Sequence, residues 1–119
     1  MEKINITDKL SLFNDYWNPR VVGELNGQQV KLAKLKGEFI WHKHDNEDEL
    51  FYVLKGSLKI EFRNKTVDIG QNECIIVPRG VEHRPVAADE VSVMLFEPAS
   101  TINTGDAQDI LTRENLERI

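Results

Sequence analysis

Apolar and polar residues alternate along much of this chain with the period of two that marks a half-buried β-strand, and turn residues close off each stretch. Val21–Leu25 and Gln28–Leu35 flank Asn26-Gly27, the dipeptide that most favours a two-residue hairpin. Ser57–Phe62 sets Leu58, Ile60 and Phe62 on one face, and Asn64-Lys65 turns it into Thr66–Ile69. Leu50–Leu54, Cys74–Val77 and Val91–Phe96 are apolar at nearly every position, the pattern of strands covered on both faces. At the ends, Thr7–Phe13 predicts a short amphipathic helix capped by Thr7 or Asp8, and Asp109–Ile119 a second one capped at Thr112. Asn103–Asp106 predicts a turn with Gly105 at positive φ. Many short strands without a long helix define an all-β, antiparallel sandwich or barrel with short terminal helical segments.

A chain of 119 residues suits one domain, residues 1–119, with the barrel at about 21–98. The net charge of −5 argues against nucleic acid as the main partner, because phosphate binding needs a basic surface. Lys31, Lys34 and Lys36 read as the solvated positions of one strand. No apolar run approaches the ~18 residues of a membrane span, so no membrane partner is expected. The opening MEKINITDKL lacks the apolar segment of a secretory leader, which predicts a cytoplasmic protein. Cys74 is the single cysteine, leaving no intrachain disulfide and no CxxC metal or redox motif.

The chemistry concentrates in Gly37–Gly56, GEFIWHKHDNEDELFYVLKG. Alternate side chains of a strand share a face, so His42 and His44 would stand roughly 6.5 to 7 Å apart at Cα and could turn both imidazoles to one ion. The polar run Asp45–Asp48 reads as a hairpin loop that returns Glu49 beside them. Glu49 shares a strand face with Phe51 and Val53, whereas its competitor Asp48 would face away. The chain's third and last histidine, His83, follows a strand-like CIIV and a Pro-x-Gly turn. Three neutral imidazoles and a carboxylate suit one divalent transition metal, Fe, Mn, Ni, Zn or Cu, and leave positions open on a five- or six-coordinate ion.

This arrangement resembles the cupin superfamily. Its first motif is matched by His42, His44, four residues, Glu49, six residues and Gly56. Its second is matched by Gly70, Pro78, Gly80 and His83. The match departs at Gly37, one residue closer to the histidines than usual, at Gly70, two residues farther from Pro78, and at Ala87, where Asn is common. The flanking segments look like those of small conserved-barrel, mannose-6-phosphate-isomerase-like cupins. The resemblance implies a jelly-roll barrel, the double-stranded β-helix, with metal held by His42, His44, Glu49 and His83. It also implies either a metalloenzyme acting on a sugar, keto acid or enediol by isomerase, epimerase or dioxygenase chemistry, or a non-catalytic binding or sensing module.

Phe51, Phe62, Met94 and Phe96 are candidates for an apolar pocket, with Arg79 as an anchor for an anion and Glu38 and Glu82 as candidate acid or base. Strands apolar on both faces, with Leu50, Tyr52 and Leu54 or Val91, Val93 and Leu95 outward, need covering. A homodimer is the expected cover.

Overall fold

The computed structural model describes all residues, Met1–Ile119. After helix α1 (Ile6–Leu10) come seven strands: β1 (Arg20–Leu25), β2 (Gln28–Glu38), β3 (Glu49–Lys55), β4 (Leu58–Phe62), β5 (Lys65–Ile69), β6 (Cys74–Val77) and β7 (His83–Pro98). All pairings between them are antiparallel, in the order β1-β2-β7-β3-β6, with β4 joining β7 to β5. Asn26 and Gly27, at φ 50° and 77°, form the hairpin turn that joins β1 to β2.

The 16-residue β7 organises the barrel. Its first part pairs with β4, from Phe62↔His83 to Lys59↔Val86, and its last part with β3, from Leu50↔Phe96 to Val53↔Val93. Strand β2 runs beside both parts. Leu35 faces Val91 but Gly37 faces Ala87, so β7 carries extra residues, the exposed Ala88–Glu90, where the sheet bends. His83, Pro85, Ala87, Val91, Val93, Leu95 and Glu97 all point into the barrel. The core joins them to Ala33, Leu35, Phe51, Val53, Leu58, Ile60, Ile69 and Val77.

Several expectations require correction. The first helix begins earlier than predicted, at Ile6, because the Asn5 side chain accepts the Asp8 N–H at 2.9 Å and caps it. The chain's end is not helical. Its last residues lie alongside β1, with Val21 N–H donating to Glu117 O at 2.9 Å and Ile119 N–H to Val21 O at 3.1 Å. An eleven-residue helix is marginal on its own, whereas this pairing satisfies an otherwise open sheet edge.

Strand β6 is an edge strand with Cys74 exposed and Ile76 61% exposed, so it is not the buried strand its apolar run suggested. Val91, Val93 and Leu95 face inward, opposite to the expected outward set. Lys31 is not solvated: it is 2% exposed and its ammonium meets Glu97 Oε1 at 2.8 Å. Its position on the face of Ala33 and Leu35 puts it inside.

Candidate metal centre

His42 and His44 sit on the crossing between β2 and β3 rather than in a hairpin with β3. His42 bridges to His83 through both backbone hydrogen bonds, N–H to O at 3.1 and 2.9 Å. Gly80 N–H donates to His44 O at 2.8 Å. The Pro-x-Gly turn and the start of β7 therefore position the histidine pair, and Glu49 enters from the first residue of β3. Asp45–Asp48 connects two different regions of sheet, which explains why a hairpin was the wrong expectation. From the other side, Gly105, at φ 55°, packs against the Lys43 carbonyl and the His42 ring. Asp106 bonds both ways to Lys43: its N–H donates to Lys43 O at 3.0 Å and its carboxylate accepts Lys43 N–H at 2.9 Å.

The side chains of His42, His44, Glu49 and His83 are all buried, and one donor atom from each lies within 4.8 Å of the others. Nδ1 of His42 is 2.9 Å from Ile40 O, and Nδ1 of His83 is 2.9 Å from Val81 O. Only a protonated nitrogen can donate to a carbonyl, so both rings present a bare Nε2 to the cluster. Glu49 Oε1 is 3.5 Å from Nε2 of both His44 and His83.

Both nitrogens of His44, Nε2 of His83 and Oε1 of Glu49 are buried without a hydrogen-bond partner. Orphans of this kind are costly and rare in a folded interior. Donors bound at ~2.1 Å to one ion sit about 3 to 4 Å apart, so a transition metal fits both the spacing and the missing partners.

Titration reflects the crowding. Burial, followed by the influence of the adjacent His83, holds His42 down to about 4, so its imidazole stays neutral and available as a ligand. Burial alone would raise Glu49, but the neighbouring Glu97, His44 and His83 outweigh it and hold the carboxyl well below its usual range. Burial, then the adjacent Glu49 carboxylate, pushes Glu97 well above that range. Lys31 Nζ donates to Glu97 Oε1 at 2.8 Å, while Glu97 Oε2 is buried without a partner. Sequence reading missed Glu97 and Lys31. Their place on the inward parity of β7 and β2 was the available clue.

A cavity of about 40 Å³ opens beside His42 and Glu49, walled by Trp17, Ala33, Leu35, Phe39, Phe51 and Leu95. Trp17 holds a left-handed backbone, φ 59°, unusual for a bulky residue. Its N–H donates to Lys34 O at 3.0 Å, its indole to Lys36 O at 2.9 Å, and its ring stacks on Phe39 at 4.7 Å.

Of the pocket candidates, Phe51 lines this cavity. Phe62 borders a separate surface groove with Arg63 and Ile75. Met94 and Phe96 alternate with the inward residues of β7 and lie on the outer face. Arg79 is exposed, held by Asp48 through its backbone N–H at 2.9 Å and its guanidinium at 3.4 Å. Glu38 and Glu82 pair at the surface with Arg84 and Arg63.

A bent antiparallel barrel with three histidines and a glutamate converging at its interior defines a cupin-type protein. The family described as "Cupin domain" matches residues 28–97, and the chain belongs to it. Among solved structures, a cupin-2 domain containing protein from Shewanella frigidimarina is 47% identical, with TM-score 0.79 over 80% of this chain and 93% of that one. A protein from Neisseria meningitidis is 30% identical, with TM-score 0.76 over 82% of this chain and all of that one. The uncharacterised protein YdbB of Bacillus subtilis is 42% identical over 64 residues, 53% of this chain and 57% of that relative's length.

Proposed function

We propose that this cupin is a small metalloenzyme that binds one divalent transition metal, Fe, Mn, Ni, Zn or Cu, through His42, His44, Glu49 and His83. It would act on a small oxygen-rich metabolite, a sugar, keto acid or enediol, by isomerase, epimerase or dioxygenase chemistry. The observation that carries this reading is that buried ligand atoms without partners on His44, Glu49 and His83 converge at a centre whose His42 and Glu49 line a cavity, where a purely structural ion would be closed off by its ligands. Bound there, the ion would supply Lewis acidity or redox reactivity. The chain's own contribution is orientation: Ile40 and Val81 carbonyls fix two rings. Stacked Trp17 and Phe39 keep water from one side.

A second reading, a non-catalytic metal-dependent binding or sensing module, is favoured by the absence of a free acid–base group in the cavity, since Glu38 and Glu82 are engaged elsewhere. Iron-loaded protein that consumes oxygen with a keto or diol substrate would support a dioxygenase. Exchange of a substrate C–H with solvent deuterium would support an isomerase or epimerase. Tight ligand binding with neither activity would favour the module.

The same reading takes the protein as a cytoplasmic homodimer. No helix is long and apolar enough to cross a membrane, and Cys74 is a free thiol. The dimer is supported by the outer face of the sheet, where half-exposed Leu50, Tyr52, Met94 and Phe96 adjoin exposed Ile76.

A further inference from the structure

The space beside the metal centre is built of hydrocarbon. Besides the six wall residues and His42 and Glu49, it is lined only by Pro19, Pro85 and Asn103. Asn103 is the one amide in the lining and is already turned to the chain: its Nδ2 donates to Leu111 O at 2.9 Å and its Oδ1 accepts the Arg113 N–H at 2.8 Å. A hydroxyl group set against the apolar walls, away from the ion and Asn103, would have no partner, and each such group lowers affinity by roughly tenfold.

Size and charge narrow the ligand further. The cavity, about 40 Å³, has room for a small ligand of several heavy atoms beside His42 and Glu49. A divalent ion with Glu49 as its only anionic ligand keeps one uncompensated positive charge. Lys31, 2.8 Å from Glu97, adds no negative charge beside it. In apolar surroundings that charge favours an anionic ligand.

We infer that the ligand of this site is a compact monoanion, a carboxylate or 2-oxo carboxylate head on the metal with a short aliphatic body against Trp17, Leu35, Phe51 and Leu95, and not a sugar. This rests on the metal-dependent reading above and selects within it. The body is limited by Ala33 and Leu95, diagonal neighbours on the adjacent strands β2 and β7 that form one wall of the cavity (Lys31↔Leu95 and Ala33↔Val93 are the pairs).

The test uses the whole protein loaded with Co(II), whose visible absorption reports ligands entering the metal's open positions. It is titrated with 2-oxo monocarboxylates of increasing chain length and with polyhydroxylated acids of equal length. Short aliphatic 2-oxo acids should bind at least about tenfold more tightly than their hydroxylated counterparts. Leu95→Ala should move the preferred chain longer, and Ala33→Val should move it shorter. Equal or tighter binding of the hydroxylated acids, no binding of any acid, or a preference unmoved by both variants overturns the inference. Failure to take up Co(II), visible before any acid is added, overturns the metal reading itself.

Discussion

His42 shows how one residue's surroundings become a measurable property. Its ordinary value of 6.5 falls to about 4 because burial disfavours the imidazolium. As pH falls from 6.5 to 4, the unfolded chain takes up this proton and the folded chain does not, so stability present above pH 6.5 is lost through that window, on the order of 3 kcal/mol at most. Denaturant unfolding of metal-free protein at both ends of the window should show a smaller acid loss in His42→Asn than in the parent. The two carboxylates of the connecting loop make a second residue-scale contrast. Asp48 is exposed and held by Arg79, whereas Glu49 is buried among the histidines. Glu49→Gln should weaken metal binding by at least about tenfold, and Asp48→Asn should leave it within about twofold, as read by competition with a chromophoric chelator. The four candidate ligands were legible because all three histidines and Glu49 stand at motif spacing. Lys31 and Glu97 were not, since a charged residue in a strand pattern reads as solvated unless its parity is followed.

Among the elements, the turn at Asn103–Asp106 braces the histidine segment through Lys43 and the His42 ring. Its positive φ at Gly105 was legible from the sequence, but its contact with the histidine segment depends on the tertiary path of a tail with no periodicity of its own. A methyl group on Gly105 would collide with the Lys43 carbonyl and press on the His42 ring. Gly105→Ala should therefore weaken metal affinity by about tenfold or more while far-UV circular dichroism stays that of the parent, because the turn lies outside the sheet. The strands themselves were largely visible, since turns such as Asn26-Gly27 punctuate them. Facing was lost where a run is almost wholly apolar: Val91–Phe96 has a single polar residue, Ser92, and its continuity with His83 through the Ala88–Glu90 bulge fixes which side is inward. Strand β6 misled for a similar reason, as four apolar residues read as buried whether or not a neighbour covers them.

At the scale of the molecule, the outer sheet face predicts association. Correcting the facing of β7 replaces Val91, Val93 and Leu95 with Met94 and Phe96 on that face and leaves it apolar. Light scattering at micromolar concentration should give twice 13.7 kDa, and Ile76→Lys with Tyr52→Lys should return the single-chain mass. The account as a whole depends on one ion held by four side chains, and that is tested most directly by elemental analysis of protein purified without chelator. The parent should carry one equivalent of a divalent transition metal per chain, and folded His42→Ala and His83→Ala should carry almost none; unchanged metal content in both variants, or none in the parent after exposure to each candidate ion, would contradict it.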